Sequence, residues 1–380
     1  MDRGWLTAEE AMARLGVRAQ TLYAYVSRGR IETAPDPADP RRSRYQLSDV
    51  AALAARKGRG RKAEDVARGA ISFGDPVLPS AITTIEHGRL YYRGRDAAVL
   101  AESASLESVA RLLRGGHGAA LKTADRPALP DLPTMRARMF SVLATRAAGD
   151  PPSRGRAPLP LAVEAATLLD SVADAVARRT GEGPIHERLA AAWACEADLI
   201  RRALVLLADH ELNASTFAAR VTASTGASLA AAALAGLSAL SGPLHGGMAP
   251  RVWNLVEESR RIGPEATVAG RLARGAPVPG FGHPLYPAGD PRAFALLGAF
   301  TLSAELMALR YSVEMATGEA PNIDFALVAL AEHLGLPQDA PFALFAVARC
   351  AGWIAHAIEQ LQTGQLIRPR ARYTGPAPEA

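Results

Sequence analysis

Apolar residues near the start of the chain recur at the spacing of two short amphipathic helices. The first helix is predicted over residues 8–15, with Thr7 and Glu10 forming a capping box at its start. The second is predicted over residues 18–28, and a glycine ends each helix. The residues predicted to face inward are Ala11, Met12 and Leu15 in the first helix and Leu22, Tyr25 and Val26 in the second.

The pattern then changes to one typical of a hairpin and a further helix. Ile31 and Thr33 indicate one strand, residues 44–47 indicate another, and a turn rich in Pro and Asp separates them. Ser48 is predicted to cap a third helix that extends through Leu53. Two short helices with a glycine turn between them match the helix-turn-helix pattern.

Most of the remaining chain has helical periodicity. Residues 82–85 and 90–92 are predicted to form a small hairpin, after which helical spacing begins. Seven prolines between residues 123 and 160 indicate short helices and loops there. Prolines and glycines also surround His283, which predicts that it lies on a structured loop. Helical spacing recurs in the last third over residues 297–317, 325–334 and 342–362.

Length and composition describe a globular protein with one large or two unequal domains. The chain has 380 residues, of which 49% are hydrophobic and 21% charged. No run of 18 apolar residues without polar interruptions indicates a spanning helix, and the N-terminus has no apolar signal core. We therefore expect a cytoplasmic protein. Cys195 and Cys350 are too few for a disulfide framework and lack the spacing of a metal site.

The basic excess lies in the first sixth of the chain. The net charge is +5, yet residues 1–62 hold 13 Lys and Arg against 7 Asp and Glu, a balance of +6. Residues 63–380 hold 30 against 31, a balance of −1. Such asymmetry indicates a separate module with an acidic partner. The run from Lys57 to Lys62, rich in Gly and basic residues, is typical of a linker.

A segment of small residues separates two histidines in the middle of the chain. From Ala214 to Gly242, 19 of 29 residues are Ala, Ser or Gly, which permits close helix packing. His210 precedes this segment and His245 follows it. One interpretation is that both histidines lie in a buried cleft. The alternative is a core helix of small residues with two incidental histidines.

Motifs around and beyond this segment occur in a characteristic order. HELNASTFAAR and SGPLHGG enclose the segment, and PGFGHPLYPAGDPRA (279–293) and PNIDFAL (321–327) follow. FAVARCAGWIAHAIEQ (345–360) and IRPRARYTGP (367–376) come next, and SAITTIEHGRLYYRGRD lies near residue 81. In this order the motifs resemble those of the citrate synthase family, from about residue 75 to the C-terminus. The resemblance implies a mainly α fold with all-helical large and small subdomains.

Citrate synthases join the methyl carbon of acetyl-CoA to the ketone of oxaloacetate and then hydrolyse the thioester. The resemblance therefore implies a transferase of the tricarboxylic acid cycle, with acetyl-CoA as substrate, no cofactor and no metal. By motif position, Asp324 is the implied base for the methyl proton. His245 is the implied donor to the thioester oxygen, and His283 the implied donor to the ketone.

The same resemblance implies a binding set for a dicarboxylate. His210 is expected to help hold oxaloacetate. Arg292 and Arg349 are expected to clamp its carboxylates, because a guanidinium fork suits bidentate contact. Arg368 matches the arginine that family members lend to the neighbouring subunit, which implies a homodimer with composite sites.

The first module carries a resemblance of its own. Leu6 to Ala11 and Ser48 to Val50 resemble parts of the MerR/excisionase type of winged helix, whose second helix enters the major groove. Asp36 and Asp39 in the wing count against DNA binding, and the alternative is a module for protein contacts or one that has lost DNA binding. The residues implied to contact duplex DNA are Arg18, Gln20, Thr21, Tyr23, Arg28, Arg42 and Arg44, with Arg41 also near phosphates.

Together the two resemblances imply a winged helix-turn-helix domain over residues 1–56 and a linker over residues 57–74. A citrate synthase-like catalytic domain is implied over residues 75–380. Two alternatives to a citrate synthase stay open. One is a 2-methylcitrate synthase, and the other is a metabolite-sensing DNA-binding regulator on a citrate synthase scaffold.

Some positions depart from the family's usual pattern. Pro284 and Leu285 stand where the family commonly has Arg and Val, and Ala326-Leu327 replaces Tyr-Ser. The interval of 41 residues from His283 to Asp324 is shorter than we expect. These departures concern the acceptor pocket and the coenzyme A contacts, for which Arg271 and Arg274 are weak candidates.

Overall fold

The computed structural model describes residues 4–27, 30–37, 39, 42–51, 53–54, 78–116, 126, 128–371 and 373–376, apart from the side chain of Ala24. The chain divides into two compact units, Met1–Pro79 and Ser80–Ala380. The segment 57–74, predicted as a linker, lies outside the described residues. The domain boundaries at residues 56 and 75 therefore stay a prediction.

The first unit contains short helices and a small antiparallel sheet. Its strands lie in the order β1-β3-β2, and Tyr45 of the central strand pairs with Leu6 and Thr33 on either side. The elements are β1 (Trp5–Leu6), α1 (Ala8–Leu15), α2 (Ala19–Ser27), β2 (Thr33–Pro35), β3 (Ser43–Gln46) and α3 (helical residues 47–51 and 53–54).

Local signals explain why these elements begin and end where they do. The predicted capping box is present, because the Glu10 N–H donates to Thr7 Oγ1 (3.3 Å) and the Thr7 N–H donates to Glu10 Oε2 (2.8 Å). Gly16 ends α1 with a φ of 58°, a left-handed conformation that suits glycine. Of the residues predicted to face inward, Met12, Tyr25 and Val26 are only half-buried. The buried core of the unit is Ala11, Leu15, Leu22, Ile31, Tyr45 and Val50.

The second unit begins with a three-stranded sheet and continues with helices. The predicted hairpin is present, since Thr83–Glu86 pairs antiparallel with Arg89–Tyr92. The elements are β4 (Thr83–Glu86), β5 (Arg89–Tyr92), β6 (Arg95–Asp96), α4 (Ala97–Ser103), α5 (Leu106–Leu113), α6 (Met135–Gly149), α7 (Pro158–Ala177), α8 (Ile185–Trp193), α9 (Ala197–Leu207), α10 (Ala214–Ser224), α11 (Leu229–Leu240), α12 (Met248–Ile262), α13 (Pro264–Ala273), α14 (Pro291–Leu297), α15 (Ala304–Thr317), α16 (Ile323–His333) and α17 (Ala340–Thr363).

The core of this unit surrounds α17, against which α10 and α11 pack. Gly236 of α11 shows how close this packing is, because a Cβ there would lie 2.6 Å from Cδ2 of Trp353 in α17. Small residues in α10 and α11 thus permit the approach that the composition of residues 214–242 predicted. Of the described helices, α17 alone is long and apolar enough to cross a membrane, and 83% of its most apolar window is buried inside the fold.

Two sequence-based predictions for this unit are wrong. Residues 123–160 were expected to contain only short helices and loops, yet α6 has 15 residues. The described prolines of this segment lie outside α6 or in the first turn of α7, where the backbone N–H has no partner within the helix and its loss costs no helix hydrogen bond. The helical pattern predicted over residues 297–317 begins too early, because α14 ends at Leu297, residues 298–303 are not helical and Ser303 caps the start of α15.

Candidate active site

Three histidines reach the site from different loops of the second unit. His210 follows α9, His245 lies in the turn between α11 and α12, and His283 lies in the loop before α14. The ring centroids of His210 and His283 are 5.4 Å apart in an edge-to-face arrangement. The structure therefore brings together two histidines that are 73 residues apart in the sequence.

His210 is buried and neutral. Its Nε2 lies 2.9 Å from the hydroxyl of Tyr286. Burial, with the charges of Arg292 and Arg349, holds the pKa of His210 well below its usual value. The next residue, Glu211, has a φ of 51°, a left-handed conformation uncommon outside glycine, and its Oε1 accepts the Ile85 N–H at 2.9 Å.

The His245 ring contacts a small polar cluster. Its Nε2 lies 2.9 Å from Ser215 Oγ, which also accepts the Trp353 indole N–H at 3.1 Å. The single Ser215 proton has two acceptors within reach, His245 Nε2 and Asn213 Oδ1, the latter at 2.7 Å. When Ser215 donates its proton to His245 Nε2, that nitrogen is the acceptor, so the neutral imidazole carries its own proton on Nδ1. Burial, assisted by the Arg349 charge, lowers the pKa of His245 to about 4.

His283 has a defined tautomer. The Leu285 backbone N–H donates to His283 Nδ1 at 3.2 Å, so the neutral ring carries its proton on Nε2. Burial, followed by the charge of Arg292, lowers the pKa of His283 to about 4. At neutral pH this residue is thus an N–H donor without a positive charge.

Backbone hydrogen bonds join the His283 loop to the start of α16. The Gly282 N–H donates to Ala320 O, and the Asn322 N–H donates to Gly280 O, both at 2.9 Å. The Asn322 side chain adds a bond from Nδ2 to Gly282 O at 2.9 Å. Since Asp324 follows directly on α16, these contacts connect its position to that of His283 despite the 41 intervening residues.

Asp324 is a half-buried carboxyl group at the second position of α16. Its backbone N–H donates to the N-cap Asn322 Oδ1 at 3.0 Å. Burial raises the pKa of Asp324 to about 6, with the Asp290 charge acting in the same direction and Arg292 opposing it. A carboxylate with such a pKa is suited to accept a proton near neutral pH.

Arg292 is 3% exposed and is held by its neighbour Asp290. Its Nε and Nη2 donate to the two Asp290 oxygens at 2.9 and 2.8 Å, a bidentate pair. Asp290 Oδ2 also accepts the Ile323 N–H at 3.1 Å. Asp290 thus fixes the guanidinium and leaves Nη1 as the group available to a ligand.

Arg349 is 1% exposed and is incompletely paired. Its Nε donates to Leu207 O at 2.9 Å, and its guanidinium carbon lies 4.7 Å from the centroid of the Phe345 ring. Its Nη2 is buried without a hydrogen-bond partner among the described residues. Burial lowers the pKa of Arg349 to about 10, so it stays charged at neutral pH. A buried cation with an unmade hydrogen bond can be completed by an anionic ligand.

Arg368 and the two arginines considered for coenzyme A lie in different surroundings. Arg368 is exposed in the segment that follows α17, and no ion pair involves it in the part of the chain that the structure describes. Arg271 pairs with Glu258 at 2.6 Å, and Arg274 lies 3.8 Å from the same carboxylate. The Glu258 charge therefore offsets the positive charge of both weak candidates.

In the first unit, the residues implied to contact DNA fall into two groups. Arg18, Gln20, Thr21 and Tyr23 are exposed at and along α2. The wing arginines are paired with wing aspartates. Arg44 Nε lies 3.2 Å from Asp36, and Arg42 Nε lies 3.5 Å from Asp39. Arg28 and Arg41 lie outside the described residues.

Sequence reasoning missed three residues that organise the site. Tyr286 lies three residues after His283 in GFGHPLY, Ser215 lies within HELNAS, and Asp290 precedes Arg292 by two residues. Only Asp290 had a local signal, as an acidic residue at a helix N-cap. Among the described residues, no group of three or more His, Cys, Asp or Glu is arranged to hold a metal ion.

Curated relatives match about half of this chain. The "Putative citrate synthase 2" of Mycobacterium tuberculosis is 41% identical over 192 residues, which are 46% of this chain and 51% of that protein. The 2-methylcitrate synthase 2 of Corynebacterium glutamicum is 35% identical over 190 residues, covering 46% and 48%. The chain thus spans about half the length of the curated relatives it matches.

Solved structures match over more of the chain. The crystal structure of citrate synthase from Thermotoga maritima superposes with a TM-score of 0.66 and 27% identity, covering 81% of this chain and 96% of that one. The Thermoplasma acidophilum citrate synthase in ternary complex with carboxymethyl coenzyme A and oxaloacetate superposes with a TM-score of 0.67 and 24% identity. This match covers 82% of this chain and 97% of that one. At that identity it supports the fold alone. The predicted mainly helical fold is confirmed.

One family model matches within each of the two units. A model of the helix-turn-helix domain matches residues 5–58, which confirms that prediction for the first unit. A model described as the citrate synthase C-terminal domain matches residues 153–370, a range that contains the three site histidines, Asp324, Arg292, Arg349 and Arg368. Because this match spans more than half of the 380 residues, the chain belongs to the citrate synthase family.

Proposed function

We propose that the second unit condenses acetyl-CoA with oxaloacetate to give citrate and coenzyme A. The observation that carries the proposal is Arg349, a buried cation with an unpaired Nη2, whose charge acts on two neutral histidines, His210 and His245, and on Asp324, a carboxyl group of raised pKa. Two neutral N–H donors and a poised base suit a reaction that makes an enol and then attacks a ketone.

The proposed reaction begins at the methyl group of acetyl-CoA. Asp324 removes a methyl proton while His245 donates a hydrogen bond to the thioester oxygen, where enol character develops. For this role the His245 proton is on Nδ1, the tautomer in which Ser215 donates to Nε2. The enol carbon then attacks the ketone carbon of oxaloacetate, and His283 Nε2–H donates to the ketone oxygen. Water hydrolyses the resulting thioester and releases the coenzyme A thiol.

The dicarboxylate is bound by cations in this proposal. Arg349 Nη2 and Arg292 Nη1 are the guanidinium groups that are free of the contacts described above, and each suits one carboxylate oxygen. His210 supplies a further hydrogen bond. Arg368 is proposed to act in the site of the neighbouring subunit of a homodimer, which accounts for an exposed arginine within a family motif.

Release of coenzyme A thiol tests the reaction directly. The full chain is assayed with acetyl-CoA and propionyl-CoA against a panel of 2-oxo acids. The fastest release is expected with acetyl-CoA and oxaloacetate. A preference for propionyl-CoA would assign the chain as a 2-methylcitrate synthase, the activity named for the Corynebacterium relative. An absence of thiol release with every pair would overturn the synthase proposal and favour a ligand-sensing regulator.

Subunit mixing tests the composite site. An Arg368→Ala chain and an Asp324→Asn chain are each expected to be inactive, and mixed dimers contain one site with both residues intact. Random mixing should restore about a quarter of the wild-type rate, because half the dimers are mixed and one of their two sites is complete. If activity does not recover after subunit exchange has been verified, Arg368 does not act in the site of the neighbouring subunit.

A second proposal concerns the first unit, which we propose binds duplex DNA through α2. It is supported by the helix-turn-helix match, the charge balance of +6 over residues 1–62 and the exposed Arg18, Gln20, Thr21 and Tyr23. Mobility shift of the full chain should show binding at low salt that weakens steeply as salt rises, because phosphate contacts release counterions. No shift at low salt would favour a protein-contact module.

A further inference from the structure

Tyr286 is at the centre of the proposed acceptor site. Its side chain is 2% exposed, and its ring centroid lies 4.9 Å from that of His283 and 5.6 Å from that of His210. The Arg292 guanidinium carbon lies 5.5 Å from the same centroid. We propose that Tyr286 is a positioning residue, which fixes the His210 tautomer so that Nδ1–H is presented to an oxygen of a 2-oxo acid. This inference rests on the proposed function and deepens it.

The direction of one hydrogen bond carries the argument. The Tyr286 hydroxyl lies 2.9 Å from His210 Nε2 and makes no other hydrogen bond to the described residues. A buried phenol needs an acceptor for its proton, because an unmade hydrogen bond there is costly. Burial also raises the pKa of Tyr286, which keeps the phenol protonated. The phenol therefore donates to Nε2.

The consequence for His210 follows from its neutrality. A neutral imidazole has one donor nitrogen and one acceptor nitrogen. When Nε2 accepts from Tyr286, the ring proton is on Nδ1, and His210 can donate to an anionic or carbonyl oxygen. In the other tautomer, Nδ1 would face that oxygen with a lone pair and repel it. The Tyr286 hydroxyl therefore determines whether His210 attracts or repels the oxygen of the 2-oxo acid.

The ring and the hydroxyl of Tyr286 have separable effects. The ring packs against His283 and Arg292, and phenylalanine retains those contacts. Tyr286→Phe therefore removes only the bond to His210. Tyr92 is the matched control, since it is fully buried and its hydroxyl contacts only backbone groups of the described residues and not the His210 ring. These groups are the carbonyls of Val205 and Leu206 at 3.1 Å and of Asp209 at 3.3 Å, and the Asp209 N–H at 3.4 Å. Tyr92→Phe removes a buried phenol hydroxyl without changing the His210 tautomer.

The tautomer is measured directly by ¹⁵N NMR of histidine-labelled full chain, with the His210 signals assigned by a His210→Gln variant. Wild type should show a protonated Nδ1 and an unprotonated Nε2 at pH 7. Tyr286→Phe should lose this preference, and Tyr92→Phe should keep it. A wild-type His210 with an unprotonated Nδ1 would overturn the proposal, even if the Tyr286 variant does not fold.

Binding supplies the functional readout. Tyr286→Phe should weaken oxaloacetate binding, measured by calorimetry, about tenfold, the effect of one hydrogen bond to a charged group. The KM for oxaloacetate should rise with little change in kcat, whereas Tyr92→Phe should lower the melting temperature without changing KM. Unaltered oxaloacetate affinity in Tyr286→Phe would contradict the positioning role. If wild type binds no 2-oxo acid, the proposed function fails while the NMR result still decides the tautomer.

Discussion

Arginines meet opposite conditions in the two units of this protein. In the wing of the first unit, Arg42 is 80% exposed and Arg44 27% exposed, and each is paired with an aspartate. At the candidate site of the second unit, Arg349 is 1% exposed, and among the described residues no carboxylate forms an ion pair with it. Exposed pairs contribute little free energy, whereas a buried unpaired cation is costly unless a ligand completes it. The buried arginine therefore indicates a binding site more strongly than the basic wing does.

Replacing the Asp324 carboxyl group should have the largest effect on the reaction rate. Asp324→Asn keeps the shape but cannot accept a proton, so kcat should fall ~10²–10⁴-fold while oxaloacetate binding changes little. The measurement is steady-state thiol release, together with calorimetry of oxaloacetate binding. A near-normal rate would exclude Asp324 as the base.

The same substitution should stabilise the fold at high pH. The pKa of Asp324 is about 6 in the folded protein, above the ordinary aspartate value of 3.8, so ionisation opposes folding. Stability from this group is present below pH ~4 and lost as pH rises through ~6, a loss of ~3 kcal/mol. Asp324→Asn should therefore raise the melting temperature at pH 8 but not at pH 4. An equal effect at both pH values would contradict the raised pKa.

Changing the shape of the buried cation should have the next largest effect. Arg349→Lys keeps the charge but loses the planar fork, so oxaloacetate should bind ~100-fold more weakly, from the loss of ~3 kcal/mol. Arg138→Lys is the control, because Arg138 is 5% exposed and its Nε donates to Ala175 O at the end of α7. The control should lower the melting temperature and leave KM unchanged. Equal KM values for oxaloacetate in Arg349→Lys and Arg138→Lys would show that Arg349 does not bind the substrate.

The pH profile of the reaction should reflect one group. The proposed base must be ionised, so kcat/KM should fall about tenfold for each pH unit below the Asp324 pKa of about 6. His245 and His283 have pKa values of about 4, so both stay neutral at pH 6 and above. The value of kcat/KM should therefore not change between about pH 7 and 8. A second inflection near pH 6.5 that vanishes in His283→Gln would show that His283 titrates normally instead.

The wing should show the smallest effect. Asp36→Asn combined with Asp39→Asn releases Arg44 and Arg42 for phosphates, so DNA affinity should rise about three- to tenfold and the salt dependence should steepen. Glu187→Gln with Glu265→Gln removes the same charge from exposed positions of the second unit and should have little effect. An identical increase in both double variants would mean that net charge, and not the wing pairs, controls binding.

Local chemistry allowed much of the fold to be predicted from the sequence. The capping box of Thr7 and Glu10 and the glycine at position 16 define α1 within ten residues of each other. Alternation around the turn at residues 87–88 predicted the β4–β5 hairpin. The prediction of short helices and loops over residues 123–160 was wrong for α6, which has 15 residues, because the prolines were counted without regard to their place outside that helix.

The sequence by itself determined which residue types are present at the motif positions, because each motif lies within one short segment of chain. Only the tertiary structure decided how those residues are paired. Tyr286 meets His210 across 76 residues, and Arg349 is 142 residues from Leu207, the carbonyl that takes its Nε proton. Burial and partners at such separations set the tautomers, the pKa values and the unpaired cation, because these properties depend on what surrounds a group after folding.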